Sequence, residues 1–169
     1  MQKHIFELDD FRTRKPQIKA LFRLKKRYPN FKATLFTLLG LSLERELAKL
    51  ASLDWVELAL HGWDHFSELS WGYWEARHFL EYAETVGCFV PLFKMPWNRL
   101  PRFGFIKALK EHDVKLVTPK RAQALALKAT GLRVACYTPD FWLHPVELSG
   151  LKSLGARRKA KFKFSSDCL

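Results

Sequence analysis

The sequence predicts an α/β domain: a parallel sheet wound into a small, distorted (β/α) barrel with fewer than eight repeats. Three observations carry that expectation. Short runs rich in β-branched and aromatic residues alternate about six times with stretches of helical period. One run, Ala33 to Leu39, is apolar almost throughout, as a strand covered on both faces requires. The chain has 169 residues, whereas a full eightfold barrel typically takes about 250. Residues 1–155 are expected to form one domain, and 156–169 a basic tail or an edge strand.

The elements follow in chain order. His4 to Leu8 reads as a strand. Pro16 to Tyr28 reads as a helix, because proline suits the first turn and Ile18, Leu21, Phe22 and Leu24 recur on one side. After the Ala33 strand, Ser42 is the expected cap of a helix to about Leu50, with Glu44 and Glu46 suited to its first turn. Val56 to Leu60 is the third strand. Ser70 is the expected cap of a helix from Trp71 to about Thr85. Cys88 to Phe93, Val114 to Thr118 and Leu132 to Tyr137 read as further strands. Pro101 to His112 and Arg121 to Ala129 read as the helices between them, with a last helix at Pro145 to Leu154. Lys161 to Ser165 alternates and suits an edge strand whose lysines discourage sheet-to-sheet pairing.

Composition narrows the function classes. Hydrophobic residues are 48% and aromatics 14%, enough bulk for a core, so a disordered chain is excluded. No apolar stretch reaches the ~20 residues that span a bilayer. The N-terminus does not read as a secretory signal. Cys88, Cys136 and Cys168 are scattered, which argues against a disulfide framework or a cysteine zinc site. A reducing, cytoplasmic setting is therefore expected. The net charge of +12 favours anionic partners. Phe11 to Leu43 holds nine Lys/Arg and no acidic residue.

Active sites of parallel α/β proteins gather at the carboxyl ends of the strands. Polar residues recur at those places here. Asp9 and Asp10 follow the first strand, where they also suit a cap. His61-Gly62-Trp63-Asp64-His65 follows the third; histidines four apart can converge on one metal, or be structural. Lys94-Met95-Pro96-Trp97-Asn98 follows the fourth. There, Lys94 suits an anion or a carboxylate, and Pro96 and Trp97 suit a pocket wall or a packed turn. Trp142 and His144 lie just before Pro145, after the sixth strand. Two histidines and a carboxylate leave open positions for water and substrate on a catalytic metal. A second carboxylate can take a proton, and a third histidine can give one. Trp63, Trp71, Trp97 and Trp142 suit either sugar stacking or the core.

These residues resemble the polysaccharide deacetylases of the NodB-homology type. Glu7-Leu8-Asp9-Asp10-Phe11 looks like that family's TFDDG, His61-Gly62-Trp63-Asp64-His65 like its HSxxH or HGxxH, Lys94-Met95-Pro96-Trp97-Asn98 like its RxPxG, and Leu143-His144-Pro145 like its late histidine motif. Phe11, Gly62, Lys94 and Asn98 depart from the pattern. The family's Asp-and-Trp motif has no clear counterpart, with Asp140 and Asp113 the nearest candidates. The resemblance implies a distorted barrel and metal-dependent removal of an N- or O-acetyl group from a glycan. It implies Asp10, His61 and His65 as ligands of a divalent metal, zinc first, with cobalt or nickel as alternatives. It implies Asp9 as general base, His144 as general acid, and Lys94 in place of the arginine that steadies the base. Lys94, Pro96, Trp97 and Trp142 are the candidate substrate-binding residues. Two other readings stay open. One is a related metal-dependent amidase on a non-glycan small molecule. The other is an inactive scaffold that binds nucleic acid through Lys25-Lys26-Arg27 and Arg157-Arg158-Lys159, with Phe162 and Phe164 nearby.

Overall fold

The computed structural model describes residues 3–136, 141–143 and 161–166. Strands and helices alternate as β1 (Lys3–Phe11), α1 (Lys15–Arg27), β2 (Ala33–Leu38), α2 (Glu44–Ala51), β3 (Val56–Gly62), α3 (Tyr73–Val86), β4 (Leu92–Lys94), α4 (Phe103–Glu111), β5 (Lys115–Thr118), α5 (Arg121–Ala129) and β6 (Val134–Cys136). Two short strands, β7 (Phe141–Leu143) and β8 (Lys161–Lys163), complete the sheet. Every pairing is parallel, in the order β6-β5-β4-β3-β2-β1-β7. Strand β8 pairs with Lys3–Ile5 of β1, and β7 with Phe6–Leu8. Among the described residues β6 and β7 do not pair, so the sheet is open, an incomplete barrel as expected from the chain length.

The two faces of the sheet differ in kind because side chains alternate along each strand. One face carries a row of aligned apolar residues: Leu8 opposite Leu35, Leu35 opposite Leu58, Leu60 opposite Phe93, and Phe93 opposite Leu116. This row joins Leu21 and Leu24 of α1, Leu47 and Leu50 of α2, Phe79 and Leu80 of α3, and Phe105 and Leu109 of α4 in the main core. The other face lines the inside of the curl. It holds a small second cluster, Phe36, Ala59, Leu92, Val117 and Ala135. Around it, Glu7, Asp9, Thr34, Glu57, His61 and Lys94 are buried.

Buried carboxylates need partners. At the floor of the curl they receive them from the C-terminal segment. Ser165 Oγ donates to Glu7 Oε1 at 2.7 Å, and Ser165 N to Thr34 Oγ1 at 2.9 Å. Thr34 Oγ1 donates to Glu57 Oε1 at 2.9 Å, and Ser166 Oγ also donates to Glu57.

Several element boundaries differ from the sequence reading. Strand β1 runs on through Phe11 and β3 through Gly62, so Asp9, Asp10 and His61 lie on the strands and not after them. Lys94 likewise ends β4, which begins only at Leu92 and not at Cys88. Strand β6 covers only Val134–Cys136, and α4 begins at Phe103 and not Pro101. Ser42 does not cap α2; Leu43 holds that position, and the Ser42 hydroxyl turns back to Leu38 O at 2.9 Å. Helix α3 starts at Tyr73, capped at Gly72, whose N–H donates to Glu75 Oε2 at 3.0 Å, so Ser70 is outside it. Phe162 lies on β8. The expected helix at Pro145 to Leu154, the Arg157-Arg158-Lys159 run, Cys168 and Asp140 lie outside the described residues. No described helix is long and apolar enough to cross a membrane.

Helices α3 and α4 approach closely at Gly104. A Cβ there would stand 2.6 Å from Tyr73 N. Helix propensity alone favours alanine over glycine by ~1 kcal/mol. The close approach reverses the sign: Gly104→Ala is expected to destabilise by about 1–3 kcal/mol in urea denaturation, and a gain in stability would show that the helices separate freely.

Candidate metal centre

Two irregularities in the sheet build the site. Leu8 pairs with Leu35 but Phe11 with Thr37, so β1 carries one extra residue at Asp9-Asp10. Thr37 pairs with Leu60 but Leu38 with Gly62, so β3 carries one extra residue at His61. A bulge breaks the alternation of faces and re-aims side chains. Strict alternation would send Asp9 inward and Asp10 outward. With Asp10 in the left-handed region, φ 54°, both carboxylates reach the inside of the curl.

Asp10, His61 and His65 converge there, their ligand atoms all within 4.8 Å of one another. His61 Nε2 lies 3.1 Å and His65 Nε2 2.8 Å from Asp10 Oδ1. Burial pushes the Asp10 carboxyl up, but hydrogen bonds and positive charge from His61 and His65 outweigh it and hold the group well below the usual carboxylate range. His61 Nδ1 lies 2.7 Å from Lys94 O. A carbonyl only accepts, so Nδ1 carries a proton and Nε2 is the nitrogen left to face the Asp10 oxygen. Two lone pairs facing each other repel unless a proton or a cation stands between them. Two imidazole nitrogens and one carboxylate oxygen are the donor set of an open zinc-type site, so the residues present fit a divalent ion.

Asp9 is buried beside this cluster. Lys94 Nζ donates to Asp9 Oδ1 at 3.0 Å and to Glu7 Oε2 at 2.9 Å, with the Phe36 ring 4.9 Å away. Lys94 is 1% exposed. Pro96 is buried and holds a turn in which Trp97 and Asn98 both adopt left-handed backbone, φ 52° and 51°. That turn presents Trp97, 48% exposed, edge-on to the His65 ring at 4.2 Å between centroids. Phe66, 67% exposed, meets Trp97 at 5.4 Å.

The predicted residues Asp9, Asp10, His61, His65, Lys94, Pro96 and Trp97 thus come together. His144 lies outside the described residues, and Trp142 is described only by its backbone on β7, opposite Glu7. Asp113 is no substitute for a missing motif: it sits at the other end of the sheet, its Oδ1 2.6 Å from Arg133 Nη1. Trp71 packs on Phe79 and Phe105 in the core, and Trp63 lies against Tyr82 and over Gly40.

Sequence reasoning missed Glu7, Phe66 and Glu68. The signal for Glu7 was there, since Glu7 and Asp9 are two apart on one strand and share a face. Glu68 is 1% exposed and folds back beneath the histidine loop, where a Cβ on Gly62 would collide with its carboxyl group. Its Oε1 has no hydrogen-bond partner among the described residues. Gly62, at φ 118°, is thus required twice, by its backbone and by Glu68.

No protein-family model and no curated protein matches the sequence. Solved structures do match. A peptidoglycan N-acetylglucosamine deacetylase, Bc1960, aligns with a TM-score of 0.67 at 15% identity, covering 99% of this chain and 87% of that one. A family 4 acetyl xylan esterase from Clostridium thermocellum, solved with a cobalt ion, aligns at 0.66 and 16% identity, covering 99% and 90%. A CE4 family pseudoenzyme from Bacillus anthracis aligns at 0.66 and 13%, covering 99% and 66%. The chain has the fold of the family 4 carbohydrate esterases.

Two outcomes test the site as a physical object. Lys94→Met strands two buried carboxylates and is expected to cost about 3–5 kcal/mol in chemical denaturation; a loss below ~1 kcal/mol would show that water reaches them. Burial pushes the Glu68 carboxyl up, against backbone N–H groups of its own loop. The folded chain therefore holds a proton that the unfolded chain releases, and stability falls as pH rises through the raised value. Glu68→Gln carries no such penalty. Its melting temperature relative to the parent is expected to rise between about pH 4 and about pH 8, and parallel curves would refute the raised value.

Proposed function

We propose that this chain is a metal-dependent hydrolase that removes an acetyl group, N- or O-linked, from a glycan. The observation that carries the reading is the convergence of Asp10, His61 and His65 beside a buried second carboxylate, Asp9. The fold alone does not carry it, because a pseudoenzyme shares that fold. The donor set does, because it fits a catalytic ion and leaves positions open.

Asp10, His61 and His65 would hold the ion, zinc first by the family resemblance, with cobalt or nickel fitting the same two imidazoles and one carboxylate. When bound, such an ion supplies Lewis acidity to an acetyl carbonyl and to a water molecule. The remaining chemistry belongs to the chain's own side chains. Asp9, adjacent to the ligand Asp10, takes a proton from the attacking water. Lys94 holds Asp9 by Oδ1 and so fixes the direction in which it accepts. His144, by the family resemblance, gives a proton to the departing amine or alcohol. The exposed rings of Trp97 and Phe66 stand beside His65 and offer a surface for a sugar ring, which favours a glycan over a small amide.

Purified protein is expected to take up zinc in equimolar amount, and Asp10→Ala to lose that uptake in metal titration. Asp9→Asn is expected to keep the metal and lose acetyl release by a factor of about 10²–10⁴. Failure of the parent chain to bind zinc, cobalt or nickel would end the metal-dependent reading. Undiminished acetyl release by Asp9→Asn would end the role of Asp9.

A further inference from the structure

The segment after β8 reaches the proposed chemistry from far along the chain. Strand β8 pairs Lys161, Phe162 and Lys163 with Lys3, His4 and Ile5 of β1. Strand β7 takes over from Phe6, which pairs with Phe141. The chain therefore leaves β1 after Lys163, and the same register carried two residues on brings Ser165 level with Glu7. There the segment turns into the curl. Ser165 is buried, and its backbone N–H donates to Thr34 Oγ1 of β2 at 2.9 Å. Its hydroxyl donates to Glu7 Oε1 at 2.7 Å, across 158 positions of sequence.

Glu7 passes the contact on. Its other oxygen, Oε2, accepts from Lys94 Nζ at 2.9 Å, and the same ammonium donates to Asp9 Oδ1 at 3.0 Å. Ser165, Glu7, Lys94 and Asp9 thus form one buried line, which ends on the carboxylate assigned as base. Two carboxylates share one ammonium in that line, and they compete for it. A lysine ammonium is a point charge on a flexible stem, so it moves toward the freer acceptor. The Ser165 hydroxyl sets the balance. By engaging Oε1 it leaves Oε2 as the oxygen that meets Lys94, and it fixes the plane of the carboxylate. A buried carboxylate that loses a donor turns to another within reach. Lys94 is within reach, since it already meets Oε2 of the same group. Loss of the hydroxyl would therefore draw Nζ toward Glu7 and away from Asp9. Ser166 Oγ, one residue on, donates to Glu57 instead. The two serines anchor the same segment and differ in the carboxylate they hold.

We infer that Ser165 is a positioning residue for the proposed hydrolysis. It acts through Glu7 to divide the Lys94 ammonium between two carboxylates, and so keeps Asp9 aimed at the water it deprotonates. The role rests on the deacetylase reading and adds to it a residue from outside the motifs. Its size follows from the sensitivity of catalysis to placement: a misplacement of about 1 Å, caused far from the chemistry, can cost ~10²-fold in rate.

The test uses the zinc-loaded full chain, with the N-acetylglucosamine tetramer and acetylated xylotetraose as probes. Ser165→Ala is expected to lower kcat per bound zinc by a factor of about 10–100, with KM and zinc uptake within about twofold of the parent. Ser166→Ala is expected to leave kcat within about twofold, although both variants loosen the same segment. In a Glu7→Gln background the neutral amide competes less for the ammonium, and Ser165→Ala is expected to cost under about threefold more. Ser165→Cys keeps the packing with a weak donor; should the alanine variant not fold, it is expected to lose at least about threefold in kcat. Unchanged kcat in Ser165→Ala, a loss matched by lost zinc, or an equal loss in Ser166→Ala overturns the inference and leaves the deacetylase reading standing. No acetyl release by the parent from either probe overturns that reading instead. Nitrogen-15 NMR of the Lys94 ammonium, which burial protects from exchange with water, then decides the hold of Ser165 on it. A resonance shifted by Ser165→Ala and not by Ser166→Ala upholds that hold, and any other pattern overturns it.

Discussion

The shape of this molecule depends on one buried cation. Lys94 belongs to β4, and its partners Glu7 and Asp9 belong to β1. Two strands, β3 and β2, lie between them. In a flat sheet three strand spacings separate β4 from β1, about 14 Å, too far for these side chains to meet at 2.9 and 3.0 Å. The ion pairs therefore exist only because the sheet curls, and the curl brings buried carboxylates together only because a cation compensates them. Removing the ammonium would leave like charges in a water-poor interior. That is why an apolar residue of similar volume is not equivalent at this position, although in many buried pairs an apolar replacement of both partners is tolerated.

The same mutual dependence explains what the sequence disclosed. Alternating strand and helix patterns, one strand apolar on both faces and a short chain imply a parallel, incomplete barrel, because those features follow from local period and length. The candidate metal ligands were legible because their spacing survives in the sequence. The bulges at Asp9-Asp10 and His61 were not, since a bulge is a mismatch between two strands and a single strand does not record it. Glu68 was hidden for a similar reason. Its relation to Gly62 is a close approach within the loop, visible only once the turn at Ser67–Leu69 folds it back. Ser165 and Ser166 looked like part of a basic end-segment. They partner Glu7 and Glu57, residues more than a hundred positions earlier.

Backbone strain is concentrated where the chemistry is proposed. Asp10, His65, Trp97 and Asn98 all take positive φ, and Gly62 takes a value only glycine adopts readily. The other such non-glycine residue among those described, Asp113, follows the end of α4 at the opposite end of the sheet. Aspartate, histidine and asparagine enter that region more readily than other side chains, whereas a bulky one such as Trp97 does so only where the surroundings hold it. Here the surroundings do so: Asp10 is held by two histidines, His65 by Asp10 and Trp97, and the Trp97 turn by the buried Pro96. The strain places three ligand atoms and an aromatic wall around one point.

Lys94 also joins the two halves of the proposed chemistry. Its ammonium holds the carboxylate assigned as base, while its carbonyl accepts from His61 Nδ1 and so directs His61 Nε2 at the metal cluster. One residue therefore orients both the proposed base and a candidate metal ligand, by side chain and by main chain. A shift of β4 would move both together and preserve their relative placement. An arginine at this position would supply the same charge with a broader head group, but it would need room that Phe36, Glu7 and Asp9 now fill around the ammonium. Glu7 explains why lysine suffices. With a second carboxylate on the same face of β1, a compact cation making two single contacts does the structural work that a planar fork would do against one.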